Sequence, residues 1–183
     1  MGAGAFHVRP ARVADAGPAA TLAAELVRFH HQLDAKRFAI LADPLEPGYA
    51  RFLGTLPSRA GAVLLVAEAR PRGASAETAG QDDETGTARD EGSPLVGYAF
   101  GIVEGPSWPD LLDVHGRFHD LFVHPAYRRC GVGRALAVRM LAELCARGAP
   151  RIVLSAAWAN PVSRKLFESL GFRPTMVEMT REC

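Results

Sequence analysis

The stretch Arg128–Gly133, reading RRCGVG, holds the residue types of an anion site. Gly131 and Gly133 carry no side chain, so a phosphate can approach the backbone closely. A helix begins just after the turn, and its unpaired N–H groups and dipole favour negative charge. Arg128, Arg129 and Arg134 add positive charge, and Cys130 and Val132 complete the turn. Two other phosphate loops fit less well. A P-loop needs a glycine-lysine pair followed by Ser or Thr, and the dinucleotide fingerprint needs Gly or Ala where Leu136 stands. Upstream, His119 and Asp120 are adjacent titratable groups. An imidazole with an ordinary pKa of about 6.5 can accept a proton near neutrality. On an unbroken strand their side chains point to opposite faces. Only one of them then faces a given cleft, unless a bulge rotates the chain.

These residues need elements to position them. A short strand is expected at Phe6–Arg9. Asp15 then caps a helix with Leu22, Leu26, Phe29 and Leu33 on one stripe. A second helix follows around Gly48–Leu56. Ala62–Ala67 reads as a buried strand and Leu95–Val103 as its antiparallel neighbour. Residues 70–93 between them have no apolar period and read as a flexible acidic hairpin loop. Phe118–Val123 is the strand before the glycine turn. A helix over Val132–Arg147 follows, with Leu136, Met140 and Leu144 on one row and Ala137, Leu141 and Cys145 on the next. Ile152–Leu154 is a short strand. Asn160 caps a helix with Pro161 at its first position and Gly171 past its end. Val162, Leu166 and Leu170 are its expected buried stripe, and a last strand is expected over Thr175–Thr180. The fold class is α/β: residues 1–183 form one domain, a mixed, mostly antiparallel sheet with helices on both faces.

Bulk properties exclude other classes. The chain has 183 residues, enough for one domain with a proper core. A formal net charge of +1 gives no electrostatic case for nucleic acid or a membrane surface. No apolar run is long enough to span a bilayer, and Met1–Arg12 lacks a signal-peptide layout. Three cysteines without CxxC spacing argue against a disulfide framework or a zinc site. No histidine spacing matches a metal motif, so no metal is expected, and a cytoplasmic location is.

The stretch LFVHPAYRRCGVGRAL resembles motif A of the GNAT N-acetyltransferase superfamily, with Arg128, Gly131 and Gly133 at its three diagnostic positions. NPVSRKLFESLGF resembles that superfamily's next motif, with Asn160, Ser163 and Gly171-Phe172 in register. The resemblance spans about Phe6 to Thr180. It implies a V-shaped split between the fourth and fifth strands. It implies acetyl-CoA as co-substrate, its pyrophosphate on the amides of the glycine turn. Leu121, Phe122 and Val123 would line the pantetheine arm through their backbones. Asn160 is either a plain N-cap or a contact near the thioester, and one side chain can serve both.

The implied activity is acetyl transfer to an amine by direct attack, needing a neutral amine and donors aimed at a developing oxyanion. A thiol of pKa about 8.5 leaves readily. A backbone N–H near Val123 is the implied oxyanion donor. His119 and Asp120 stand where some relatives carry a Glu-Asp pair, and are the candidate bases. Phe167 departs from the pattern: many relatives have a tyrosine there that protonates the leaving thiolate. Either water, Ser163 or Tyr127 serves instead, or the protein binds acetyl-CoA without turnover. The expected acceptor is a primary amine on a small molecule, such as a polyamine or amino acid, from the carboxylates Asp34, Asp43, Glu46, Glu104, Asp110 and Asp113, with Trp108 against an aliphatic stem. A protein N-terminus or lysine is the alternative acceptor. The resemblance also implies a homodimer.

Overall fold

The computed structural model describes residues 6–70 and 93–182. The expected acidic loop falls almost wholly on 71–92, outside the described residues. The strands are β1 (Phe6–Pro10), β2 (Ala62–Ala69), β3 (Leu95–Glu104), β4 (His115–Val123) and β5 (Ile152–Leu154). The helices are α1 (Ala16–Leu33), α2 (Glu46–Thr55), α3 (Val132–Ala146) and α4 (Pro161–Glu168). The strands lie in the order β1-β2-β3-β4-β5; the first three pairings are antiparallel and β4–β5 is parallel.

The apolar run AVLLVA of β2, an interior strand, is continuous because both faces of the sheet are covered there. Val63, Leu65 and Ala67 pack with Leu136, Met140 and Leu144 of α3. The alternate residues Leu64 and Val66 pack with Leu22 and Leu26 of α1 and Leu53 of α2. Each large aliphatic side chain so buried contributes roughly 1.5–3 kcal/mol. α3 lies close to the sheet because Gly101 sits beneath it: a Cβ there would stand 2.8 Å from Met140 Sδ.

β4 and β5 pair over only Gly116–Phe118 with Ile152–Leu154. Beyond Phe118, β4 continues to Val123 without a partner on that side among the described residues, while β5 ends. Pairing between them thus stops at Phe118, where the expected split between the fourth and fifth strands begins.

Several expectations need correction. Asp15 does not cap α1 through its side chain. Its carboxylate instead accepts from the Arg12 amide at 2.6 Å and pairs with Arg9 at 2.7 Å. Arg9 also pairs with Glu68 on β2, so one guanidinium ties β1, β2 and the start of α1 together. On α1, Phe29 and Leu33 are only half-buried; Ala19, Ala20, Ala23 and Ala24 fill the core beside Leu22 and Leu26. The second row of α3 fades toward its end, where Cys145 is exposed. β4 begins at His115, earlier than expected, with Gly116 lying flat against Ala149 and Ile152.

α4 is rotated from the expected phase. Val162 is 72% exposed and Phe167 is buried. Phe167 meets Phe118 and Phe172 edge-on, at 5.5 and 5.6 Å between ring centroids. A phenyl ring buries more area than a valine, and its aromatic neighbours fix the helix rotation. The strand expected at Thr175–Thr180 does not form. That segment is exposed, tied by an ion pair from Glu178 to Arg37. Alternating apolar residues give strand propensity, but a strand also needs a ladder partner.

Candidate active site

The pairing of β3 with β4 shifts at one point. Phe100 opposes Asp120, and Gly101 opposes Phe118, so His119 is the extra residue of a β-bulge. An unbroken strand would send His119 and Asp120 to opposite faces. The bulge brings both to one cavity of about 320 Å3, lined also by Tyr49, Phe52, Arg59, Phe100, Ile102 and Glu104. The cavity lies on the α1–α2 side of the sheet, beside the part of β4 that has no β5 partner.

His119 is held by its neighbours. Its ring stacks on Phe100 with centroids 5.0 Å apart and planes 10° from parallel. Its Nε2 lies 3.7 Å from Glu104 Oε1. Burial pushes Glu104 up, but the Arg117 guanidinium, donating to Oε2 at 2.9 Å, outweighs this and holds the carboxyl below its usual range. Glu104 is therefore an anion at neutral pH, already shared with Arg117 and with the buried His115, whose Nε2 is 3.4 Å away.

Asp120 behaves in the opposite way. Burial raises its pKa above the ordinary carboxylate value, against the hydrogen bond from Tyr98 and the charge of His119, which both lower it. The Tyr98 hydroxyl donates to Asp120 Oδ2 at 3.2 Å. Tyr98 is fully buried, and burial pushes its phenol well up, so it remains a donor across the physiological range. Tyr49 is also raised by burial and by the Asp120 charge. A buried carboxyl with a raised pKa in a cavity is a candidate for proton transfer.

The glycine turn lies past the end of β4. Gly131 is the N-cap of α3 at φ +87°, and Arg129 also adopts positive φ, at 65°. No backbone N–H from Arg129 to Arg134 donates to an acceptor among the described residues. A Cβ at Gly131 would meet nothing within 4 Å, so the space above this row of donors is open. Consecutive unpaired amides at a helix N-terminus, with open space above them, fit a pyrophosphate.

The flanking arginines differ in role. Arg128 donates from Nε to the Val123 carbonyl at 3.0 Å, with its guanidinium over Phe29 and Phe122 at 5.6 and 5.5 Å. It is a strut joining the turn to β4 and α1. Arg134 reaches Ser169 Oγ at 3.1 Å. Arg129 and Cys130 are exposed at the turn, and Val132 is buried beneath it. Leu121 and Val123 are half-buried and Phe122 is buried, on the stretch of β4 that pairs with β3 but not with β5.

Asn160 Oδ1 accepts from the Ser163 amide at 3.1 Å, so both residues are engaged in capping α4. The Phe167 ring is taken up by the core contacts described above. Trp108 is 88% exposed and lines neither cavity nor turn. Asp110 is taken by Arg117 at 3.0 Å, and Asp113 accepts from the Val114 amide. Of the carboxylates expected near the acceptor, Glu104 is the one that lines the cavity. Tyr98, Tyr49, Phe52, Phe100 and Arg59 were not singled out from the sequence. The signal for Tyr98 and Phe100 was their i,i+2 spacing on β3, which sets both on the face that meets Asp120.

Comparison with known proteins places this geometry. No curated protein matches the chain in sequence. Solved structures resemble it over nearly its whole length. A tetramutant of the BH1408 protein from Bacillus halodurans is 18% identical, covers 97% of this chain and 99% of its own, and has a TM-score of 0.70. A ribosomal-protein-alanine N-acetyltransferase from Brucella melitensis is 18% identical, with coverage of 98% and 100% and a TM-score of 0.60. An aminoglycoside N-acetyltransferase in complex with CoA is 14% identical, with coverage of 100% and 98% and a TM-score of 0.66. At these identities the likeness establishes the fold. The model of the Acetyltransferase (GNAT) family matches residues 63–172, more than half of the chain and all of β4, the glycine turn and α4. The chain belongs to the Acetyltransferase (GNAT) family, and is an acyltransferase of that family.

Proposed function

We propose that the chain transfers acetyl from acetyl-CoA to the primary amine of a small molecule held in the cavity beside His119 and Asp120. The observation that carries this reading is the bulge at His119, which turns both titratable side chains to one open-mouthed cavity next to the part of β4 beyond its pairing with β5. The cavity, about 320 Å3, is of a size for a small molecule.

Acetyl-CoA supplies the activated acyl group, and the unpaired amides of Arg129–Arg134 would hold its pyrophosphate. The free edge of β4 from Leu121 to Val123 offers backbone groups to its arm. An amine arrives mostly as ammonium and must lose a proton before it can attack. Asp120, with its raised pKa, takes that proton. His119, fixed by the Phe100 stack and by Glu104, is placed to pass the proton outward. Phe167 cannot donate a proton, but a thiol of pKa about 8.5 leaves without a strong acid.

The test is release of free thiol from acetyl-CoA across a panel of small amines, with peptides in parallel. Turnover on small amines supports the reading. Turnover on peptides alone assigns the site to protein acceptors. Coenzyme binding without turnover on either set refutes catalysis.

A further inference from the structure

Resting on the reading of this cavity as the acceptor site, we infer that the acceptor is an amino acid, held by Arg59 through its free carboxylate, rather than a polyamine. The argument is one of charge. Four acidic or basic side chains line the cavity: Arg59, Glu104, His119 and Asp120. Glu104 is already neutralised by Arg117 at 2.9 Å, with His115 and His119 at 3.4 and 3.7 Å. Asp120 is taken by the amine in the reading proposed above. Arg59 makes no ion pair and no side-chain hydrogen bond among the described residues, so it is the cation there without a protein counter-charge.

The backbone holds Arg59 in place. It closes the turn after α2, its amide donating to Leu56 O at 3.0 Å and its carbonyl accepting from Ala62 N at 3.1 Å. Arg59 is exposed at the rim of a partly apolar, open-mouthed cavity, where a guanidinium can grip a planar carboxylate with two parallel hydrogen bonds. A second ammonium, as on a polyamine, would instead meet a like charge. The remaining walls are apolar: Tyr49, Phe52, Phe100 and Ile102 suit a hydrocarbon or aromatic side chain. An apolar amino acid meets all three demands, with its amine at Asp120, its carboxylate at Arg59 and its side chain against the rings.

Thiol release would be measured on matched pairs: L-phenylalanine with 2-phenylethylamine, and L-leucine with 3-methylbutylamine, with spermidine alongside. The readout is the ratio of kcat/KM for the amino acid to that for its decarboxylated partner. In the wild type this ratio is expected to be at least about tenfold in favour of the amino acid. Arg59→Gln is expected to collapse the ratio by at least about tenfold, mainly through KM, and Arg59→Lys to restore part of it. A wild-type preference for the decarboxylated amines or spermidine, or an equal loss on both members of a pair in Arg59→Gln, would overturn the inference and leave the acetyltransferase reading standing. Absence of turnover on every amine, with coenzyme binding intact, would overturn both.

Discussion

Tyr98 and Asp120 lie diagonally across adjacent strands, and the tyrosine hydroxyl donates to the carboxylate at 3.2 Å. Burial alone would drive Asp120 far toward its neutral form. The Tyr98 bond favours the ionised form and limits that rise. Asp120 is thereby kept usable as a base. Tyr98→Phe removes the bond and should raise the Asp120 pKa further. The acid limb of the kcat/KM–pH profile should then move to higher pH, with coenzyme affinity unchanged. An unmoved limb in the variant would take Asp120 out of the rate profile.

The proton-transfer roles can be separated. Asp120→Asn should lower kcat by about 10²–10⁴, the typical worth of a general base. His119→Ala should also lower turnover, by a smaller factor, since it leaves Asp120 in the cavity. Neither residue belongs to the glycine turn, so calorimetry should find coenzyme binding little altered in both. Wild-type turnover in Asp120→Asn would sink the assignment of the base.

Much of this site was legible in the sequence. RRCGVG announced the unpaired amides and the close approach its glycines allow, because those depend on local backbone chemistry; the left-handed conformation of Gly131 came from the structure. His119 and Asp120 were legible as types, and the period of a strand left only one of them facing a cleft unless a bulge rotated the chain. The bulge itself was not legible: it is a mismatch between two strands, set by how Phe100 and Gly101 meet Phe118 and Asp120. The partner of Asp120 was hidden for the same reason, since Tyr98 is 22 residues away in sequence. The phase of α4 was misread because Val162 and Phe167 compete for one face, and the winner depends on Phe118 and Phe172.

The glycine turn makes a graded prediction. Gly131→Ala meets no steric obstacle, but it forces a Cβ into φ +87°. The strain costs about 1 kcal/mol and tends to swing the amides out of line. Coenzyme affinity should fall by roughly tenfold or more on loss of one or two charge-assisted hydrogen bonds. Gly133→Ala places its Cβ 3.5 Å from Val123 Cγ2, an ordinary contact, and should be tolerated. Gly133→Leu has no such room between Val123 and Leu166 and should abolish binding. Titration of CoA into the three variants checks the order, and equal binding by all three would contradict the cradle.

Arg9 and Asp15 make a prediction about stability alone, far from the chemistry. Both side chains are nearly buried, and Arg9 also pairs with Glu68. The hydrogen bond from Arg9 holds the Asp15 carboxyl below its usual pKa, against the opposing effect of burial, with the Arg12 amide adding to it. Asp15→Ala leaves that guanidinium with one carboxylate and the Arg12 amide with none, at a cost of about 1–3 kcal/mol. A carboxyl whose folded pKa is depressed contributes stability that is fully present above its unfolded pKa, about 3.9. That stability is lost as pH falls through the lower folded value. The gap between wild type and Asp15→Ala in urea denaturation should therefore be constant from pH 8 down to about 5 and close below about 4. A gap that persists unchanged at pH 3 would show that Asp15 stabilises the fold through packing rather than through its charge.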